Sequence, residues 1–229
     1  MPFFYFDVYY IYLILPALII SIIAQMKVKS TFSKYSNMHS GVTGAAAAEQ
    51  VLHAHGVYNV SIERVAGNLT DHFDPRTNVI RLSESVYDSQ SVSAVGVAAH
   101  EAGHAVQYAE NYAPIRLRNK IVPVVNFGSS ISWIVLILGV LLSMPSLLWL
   151  GIALFSLSTV FHLITLPVEL NASNRAMKTI TERNLLNSED EVRGARKVLS
   201  AAAMTYVAAL LVSLAQLLRI VMLFGNRRR

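Results

Sequence analysis

The chain contains no cysteine among its 229 residues. This absence excludes disulfide bonds, thiolate metal ligands and a cysteine nucleophile together. Any metal ion must therefore be bound by histidine or carboxylate side chains, which are the usual ligands of catalytic zinc. Charged residues are also scarce: they make up 14% of the chain, whereas soluble domains usually carry about 25%.

The hydrophobic residues, 54% of the total, are concentrated in three sections: 8–24, 121–168 and 198–224. Such an uneven distribution indicates membrane helices, because a span needs about 20 mostly apolar residues. We predict four of them, at 8–24, 121–142, 146–168 and 198–218. The first lacks a basic leader and a small-residue cleavage site, so we expect it to be a retained anchor.

A pair of histidines provides the main chemical signal. His100, Glu101 and His104 form an H-E-x-x-H motif in a run of small apolar residues. Residues four apart lie on the same face of a helix, so both imidazoles can bind one Zn²⁺. Glu101 then lies close enough to accept a proton from the attacking water. The motif predicts a zinc-dependent hydrolase with Glu101 as general base.

Residues 27–120 hold most of the remaining polar residues and predict a small α+β portion. Thr43 and Ser91 are suitable N-terminal caps for two helices, which we place at 44–54 and 92–109. The second of these helices carries the motif. Alternating residues and turn signals predict a small antiparallel sheet, with strands at 57–65, 69–73 and 79–82. Residues 78–81 could offer a strand edge to an extended peptide.

The fold class is therefore mainly α and integral to the membrane, with about four transmembrane or membrane-embedded helices and a small zincin-like α+β portion. Five segments are expected along the chain: an N-terminal transmembrane anchor (1–26), a cytoplasmic zincin-like portion with the motif helix (27–120), a transmembrane hairpin (121–170), a cytoplasmic charged helical segment (171–197), and a C-terminal membrane helix with a basic tail (198–229).

The basic residues predict the orientation in the membrane. Lys and Arg in short loops favour the cytoplasm, and fifteen of the nineteen lie in 27–120 and 171–197. We therefore expect a multi-pass protein with its active site facing the cytoplasm and its amino terminus outside. Arg227–Arg229 oppose this if the last helix crosses completely. A re-entrant or interfacial last helix is the alternative.

A hydrolytic zinc ion usually has three protein ligands and an open fourth position. Glu169 is the best candidate for the third ligand, because a carboxylate at the end of a span is unfavourable unless it is ligated, paired or solvated. Alternatively, Glu169 reaches water or pairs with Arg175. His162 is expected to be a helix-packing residue. The other histidines considered are expected at the surface: His53, His55 and His72.

The expected reaction is hydrolysis of peptide bonds. Zinc would polarise the scissile carbonyl, and Glu101 would move a proton from water to the leaving amine. Groups that stabilise the oxyanion or contact substrate are also needed. The candidates are Tyr206, Asn174, His162 and His72. The expected partners are membrane-associated proteins or peptides and the lipid bilayer, with no nucleic acid.

Residues around the motif exclude several zinc protease classes. Gln107 and Glu110 stand where metzincins have glycine and a third histidine. The chain contains no Asp-Gly, which site-2 intramembrane proteases require, and no phosphate-binding loop, which membrane-bound AAA proteases require.

Five segments match a known family in order along the chain: VKSTF (28–32), LTDHFDPRT (69–77), RLSESVY (81–87), VAAHEAGHA (97–105) and TLPVELNAS (165–173). Over nearly its whole length the chain resembles the YugP-type neutral zinc metallopeptidases of bacterial membranes, which are gluzincin-like. The resemblance implies a peptidase of the bacterial cytoplasmic (inner) membrane.

The resemblance also supports Glu169. Residues 169–173 are similar to the E-x-x-A-D element that supplies the glutamate ligand in HtpX-type membrane proteases. Ser173 replaces the aspartate of that element, which puts the supporting role of this position in question, but not the ligand.

Two other functions remain open. The protein could be a non-catalytic, zinc-binding membrane scaffold or adaptor, although a scaffold does not need Glu101 as a base. A small transporter or channel fits less well, because the charged residues cluster at one membrane face rather than along the spans.

Overall fold

The computed structural model describes residues 7–224. The helices are α1 (Leu15–Ser36), α2 (Gly44–Ala54), α3 (Val92–Ala109), α4 (Ala113–Leu141), α5 (Pro145–Glu182) and α6 (Glu189–Phe224), and the strands are β1 (Ser61–Val65), β2 (His72–Asp74) and β3 (Val79–Ser83). A π-helical turn, Tyr10–Ile14, precedes α1. Pro16 accounts for this wide turn, because its ring crowds the carbonyl group four residues earlier.

Four of the described helices are long and apolar enough to cross a bilayer: Tyr10–Ser36, Ala113–Leu141, Pro145–Glu182 and Glu189–Phe224. They confirm the prediction of a mainly helical chain with about four candidate spans. The helices extend beyond the predicted apolar runs. For example, α5 continues through Pro167 because its polar extension buries one side, including Ala172, Ala176 and Ile180.

Contacts divide the chain into two compact units. Of the described residues, the first unit contains 7–24, Leu117–Leu166 and 205–224, and the second contains Gln25–Arg116 and Pro167–Met204. The five segments expected from the sequence, with their membrane sides, stay a prediction.

The first unit contains apolar helix contacts and an ion pair. Gly151 allows close packing, because a Cβ atom at this position would lie 2.6 Å from Leu136. The Nε of Arg219 donates to an Asp7 carboxylate oxygen at 2.6 Å, which joins the region before α1 to the last turns of α6. The basic residues Arg227–Arg229 lie outside the described part of the chain.

The second unit is built around α2 and α3, whose facing sides are small and fully buried. Ala48 and Val51 on α2 and Ala98 and Ala102 on α3 have no exposed surface, so the two helices can pack closely. The capping predictions are confirmed. The Thr43 side chain accepts from the Ala46 N–H group, the Ser91 side chain accepts from the Ala94 N–H group, and both helices have the predicted bounds.

The sheet differs from its prediction. Its strand order is β1-β3-β2. β2 pairs antiparallel with β3 as expected, but β1 pairs parallel with β3, so the prediction of an all-antiparallel sheet is wrong. The buried strand β3 takes the centre, where it is paired on both sides. The prediction that residues 78–81 offer an edge to a peptide is therefore also wrong.

Two aspartates hold the β2–β3 hairpin. At one end, Asp71 accepts from the backbone N–H group of Ser83 at 2.7 Å and from its hydroxyl group at 3.0 Å, while burial raises the pKa of Asp71. At the other end, Asp74 accepts from the Arg76 N–H group and the Thr77 hydroxyl group. These bonds lower the pKa of Asp74 to about 2. The hairpin is thus held at both ends by ionisable groups.

Removing the cap of α2 should destabilise the second unit. Thr43→Ala leaves the Ala46 N–H group without its side-chain acceptor, so the unfolding free energy should fall by about 1 kcal/mol. Thr43→Ser retains the acceptor and is the matched control. Thermal unfolding of the purified protein checks this prediction, and equal melting temperatures for the two variants would contradict it.

Candidate metal centre and active site

The candidate site forms where α3 packs against α5, within the second unit. Gly103 lies at this contact, and a Cβ atom there would be only 2.7 Å from the carbonyl oxygen of Ala172. Real side chains do not approach a backbone oxygen this closely, so glycine is required at the helix spacing observed. The contact places the histidines of α3 opposite Glu169 of α5.

The two histidines share one carboxylate oxygen. Oε2 of Glu169 lies 3.3 Å from Nε2 of His100 and 3.3 Å from Nε2 of His104. The possible ligand atoms of the three residues all lie within 4.8 Å of one another. Glu169 is 2% exposed and His104 is 9% exposed, so the cluster is shielded from solvent. The structure brings together the three predicted ligands.

These residues fit a zinc ion. Ligands at about 2.0–2.1 Å from a tetrahedral zinc lie roughly 3.4 Å from one another, and the two nitrogen–oxygen distances are 3.3 Å. Two imidazoles and one carboxylate are also a ligand set of catalytic zinc, which leaves a fourth position for water or substrate. The cluster could therefore hold zinc as the sequence predicted.

The other nitrogen of each histidine is held by a neutral oxygen. Nδ1 of His100 lies 3.1 Å from the Ser173 hydroxyl group, and Nδ1 of His104 lies 3.0 Å from Oε1 of Gln107. With protons on Nδ1, both histidines donate to these oxygens and present Nε2 to the metal position. Ser173 thus occupies the supporting position that the sequence comparison had left in question.

Gln107 is itself fixed from both sides. Its amide nitrogen donates to the carbonyl oxygen of Val168 at 2.8 Å and to the side-chain oxygen of Asn171 at 2.9 Å. From the sequence, Gln107 served only to exclude metzincins, and its role in holding His104 was not predicted. The available signal was its spacing, because a residue three after His104 lies on the ligand face of the helix.

The predicted general base is oriented by the sheet. The backbone N–H group of Phe73 on β2 donates to Oε2 of Glu101 at 3.0 Å. β2 is an edge strand, so its free side faces Glu101. This contact was not predictable from the sequence, because backbone groups leave no pattern in the residue types.

The carboxylates of Glu101 and Glu169 stabilise positive charge in the cluster. Burial by itself would lower the pKa of His104, but the hydrogen bond with Glu169 and the negative charges of Glu101 and Glu169 outweigh it. The pKa of His104 is therefore raised. The same negative charges also favour binding of a divalent cation at this position.

Arg175, the alternative partner of Glu169, is paired elsewhere. Its guanidinium group contacts Glu110 at 2.6 Å and Asn171 at 2.7 Å. The hydrogen bond and charge of Arg175 lower the pKa of Glu110 despite the opposing effect of burial. Arg175 therefore supports Asn171, which in turn holds Gln107.

The candidates for oxyanion or substrate contacts lie in different places. His72 is exposed on β2 beside Phe73, and its Nδ1 lies 2.8 Å from the Thr70 carbonyl oxygen. Asn174 is exposed on α5, about 140° around the helix from Glu169 at 100° per residue. His162 and Tyr206 belong to the first unit. These four roles stay predictions.

Comparisons with known proteins agree with the site. The profile of the family described as "Putative neutral zinc metallopeptidase" matches residues 10–225. The "Putative membrane protease YugP" of Bacillus subtilis (strain 168) is 52% identical over 221 residues, which cover 96% of this chain and 98% of that protein. No solved structure matches the chain.

Loss of the carboxylate ligand should remove zinc. Glu169→Gln keeps the shape of the side chain but removes the charge between two imidazoles, so zinc content should fall from about one per chain to near zero. Glu182→Gln, on an exposed part of the same helix, is the matched control. Elemental analysis after purification checks this prediction. His162→Ala should also retain zinc, and loss of metal in that variant would reassign the third ligand.

The close approach of α3 and α5 at Gly103 should be required for tight zinc binding. Gly103→Ala forces α3 and α5 apart because the added methyl group meets the carbonyl of Ala172, and zinc affinity should fall at least about tenfold. Gly96→Ala is the control on the same helix, since a Cβ atom there makes only ordinary contacts at 3.8 Å. Competition with a chelator measures the two affinities. Equal values would show that the close contact does not control the site.

Proposed function

The chain belongs to the neutral zinc metallopeptidase family, and from this membership we propose that it is a membrane-embedded zinc endopeptidase. It hydrolyses peptide bonds of membrane or membrane-proximal proteins. The main support for the proposal is that the side chains of His100, His104 and Glu169 lie close enough to hold one metal ion. Glu101 lies on α3, the helix that carries both histidines. A scaffold would need the three ligands but not an oriented base.

Each residue has a definite task in this reaction. His100, His104 and Glu169 hold the zinc, which when bound acts as a Lewis acid and lets water react at neutral pH. Glu101 accepts the proton of the attacking water on its carboxylate and delivers it to the nitrogen of the leaving amine. The Phe73 N–H group holds Glu101 in place. Ser173 and Gln107 keep the histidine rings from turning.

The free side of β2 suits an extended substrate. β2 pairs with β3 on one side only, and its other side lies against Glu101. Because Glu101 occupies the Phe73 N–H group, a peptide that lies along this edge would pair with the remaining backbone groups and bring its carbonyl groups to the site. This mode needs no free chain terminus, which supports endopeptidase rather than exopeptidase action.

The proposed location is the cytoplasmic face of a bacterial cytoplasmic membrane. Two of the candidate spans, α4 and α5, are joined by the short turn at 142–144, which carries no charge. The second unit contains the Lys- and Arg-rich segments that favour the cytoplasm.

Replacement of Glu101 should abolish peptide cleavage without affecting zinc binding. Glu101→Gln retains an oxygen that can accept from the Phe73 N–H group, but it cannot take up a proton. The rate of peptide cleavage should fall at least about 10²–10⁴-fold, while zinc content stays unchanged. Cleavage of a fluorogenic peptide library by protein in lipid nanodiscs, followed by mass spectrometry, measures the rate.

Glu84→Gln, at an exposed position away from the motif, is the control and should cleave normally. Proteins that copurify with the Glu101→Gln variant, but not with the wild type, identify trapped substrates. Unchanged function of Glu101→Gln in cells would instead support the scaffold alternative.

A further inference from the structure

A groove of about 600 Å³ lies between α1 and α6 in the second unit, away from the zinc ligands. This volume is within the range of small-molecule sites, about 300–1,000 Å³. The groove is formed by the last turns of α1 and by the third to fifth turns of α6. Its residues have no part in the proposed protease reaction.

One face of α1 forms the first wall. Lys27, Ser30, Thr31 and Lys34 line the groove, and their spacing of three, four and seven residues places them on one side of the helix. The two lysines are about 10.5 Å apart along the axis, at 1.5 Å per residue. Their flexible side chains can therefore converge on one ligand between them.

The opposite wall repeats this spacing on α6. Lys197, Ser200, Ala201 and Met204 line it, again at intervals of three, four and seven residues. This wall is polar at Lys197 and Ser200 and apolar at Ala201 and Met204. The groove therefore has a cationic part and an apolar part.

The two walls are brought together by a close contact. Tyr35 is only 6% exposed, and its ring packs where a Cβ atom on Gly194 would lie 2.7 Å away. Any larger residue at Gly194 would require the Tyr35 ring to shift from its present position. The groove is thus part of the packed unit and not a chance gap between side chains.

The positive charge of the groove favours binding of an anion. Its three lysines are exposed, and within residues 7–224 none of the three forms an ion pair. None of the described residues lining the groove is acidic. Three ammonium groups and several hydroxyl groups match a phosphate group, which accepts many hydrogen bonds.

The position of the groove along α1 and α6 indicates that the phosphate belongs to a lipid. The apolar run of α1 ends just before Lys27, and that of α6 begins just after Lys197, so both lysines stand at the boundary of a candidate span. Basic pockets between membrane helices at this level bind lipid headgroups. Met204, 45% exposed, offers an apolar surface to an acyl chain.

We propose that this groove binds the phosphate headgroup of an anionic phospholipid. Lys27, Lys34 and Lys197 contact the phosphate, Thr31 and Ser200 donate hydrogen bonds, and Met204 contacts the lipid tail. The proposal does not depend on the protease function.

The chain offers a balanced test, because only three of its six lysines line the groove. The groove variant carries Lys27→Gln, Lys34→Gln and Lys197→Gln, and the control variant carries the same change at Lys29, Lys120 and Lys178. Both lose the same charge. Native mass spectrometry of the full-length protein, titrated with phosphatidylglycerol or phosphatidylcholine, measures lipid binding.

The wild type and the control should bind one phosphatidylglycerol in preference to phosphatidylcholine. Each lysine near anionic lipid contributes roughly fivefold in affinity, so the groove variant should bind it about a hundredfold more weakly. Zinc content and melting temperature should be unchanged. If the triple variant does not fold, Lys34→Gln alone should weaken binding about fivefold relative to Lys29→Gln.

Three results would overturn the proposal. Equal weakening in both triple variants would indicate general charge attraction, and no weakening in the groove variant would place the lipid elsewhere. Binding of inorganic phosphate at the groove with the affinity of phosphatidylglycerol would indicate a soluble phosphate ligand.

Discussion

The close contact between α3 and α5 at Gly103 and Ala172 is the constraint on which the site depends. Glu169 and the histidine pair lie 65 or more residues apart in sequence, and helix packing alone brings them together. The absence of a side chain at Gly103 sets the separation of the two backbones. That separation puts both Nε2 atoms 3.3 Å from one carboxylate oxygen. The ligand geometry is therefore a property of helix packing.

The sheet contributes to the same site through a different interaction. Asp71 and Asp74 lie in the segment 69–77, which carried part of the family resemblance. The structure shows that they hold the two ends of the β2–β3 hairpin. This hairpin presents the Phe73 N–H group to Glu101. Polar residues that looked like a turn sequence thus help to orient the proposed general base.

Local signals in the sequence predicted much of this fold and site. Thr43 and Ser91 cap helices with the predicted bounds, because capping involves residues only a few positions apart. The pairing of Glu169 with the histidines was also anticipated, because a buried carboxylate near a membrane needs a partner. The helix contact at Gly103 could not be derived, because it depends on tertiary packing.

Strand direction and backbone contacts could not be predicted from the sequence. Alternation of residues marks a strand but does not say which neighbour it joins or in which direction, so the parallel pairing of β1 with β3 was missed. The contact of Phe73 with Glu101 involves a backbone group that every residue except proline has. Gln107 was identifiable only by its spacing from His104.

The neutral oxygens behind the histidines have a consequence for reactivity. In many zinc enzymes a carboxylate accepts the proton of a ligand histidine and makes the imidazole more basic. Here a hydroxyl and an amide oxygen take that place. The two histidines would therefore donate less electron density to a bound zinc ion than histidines paired with carboxylates do.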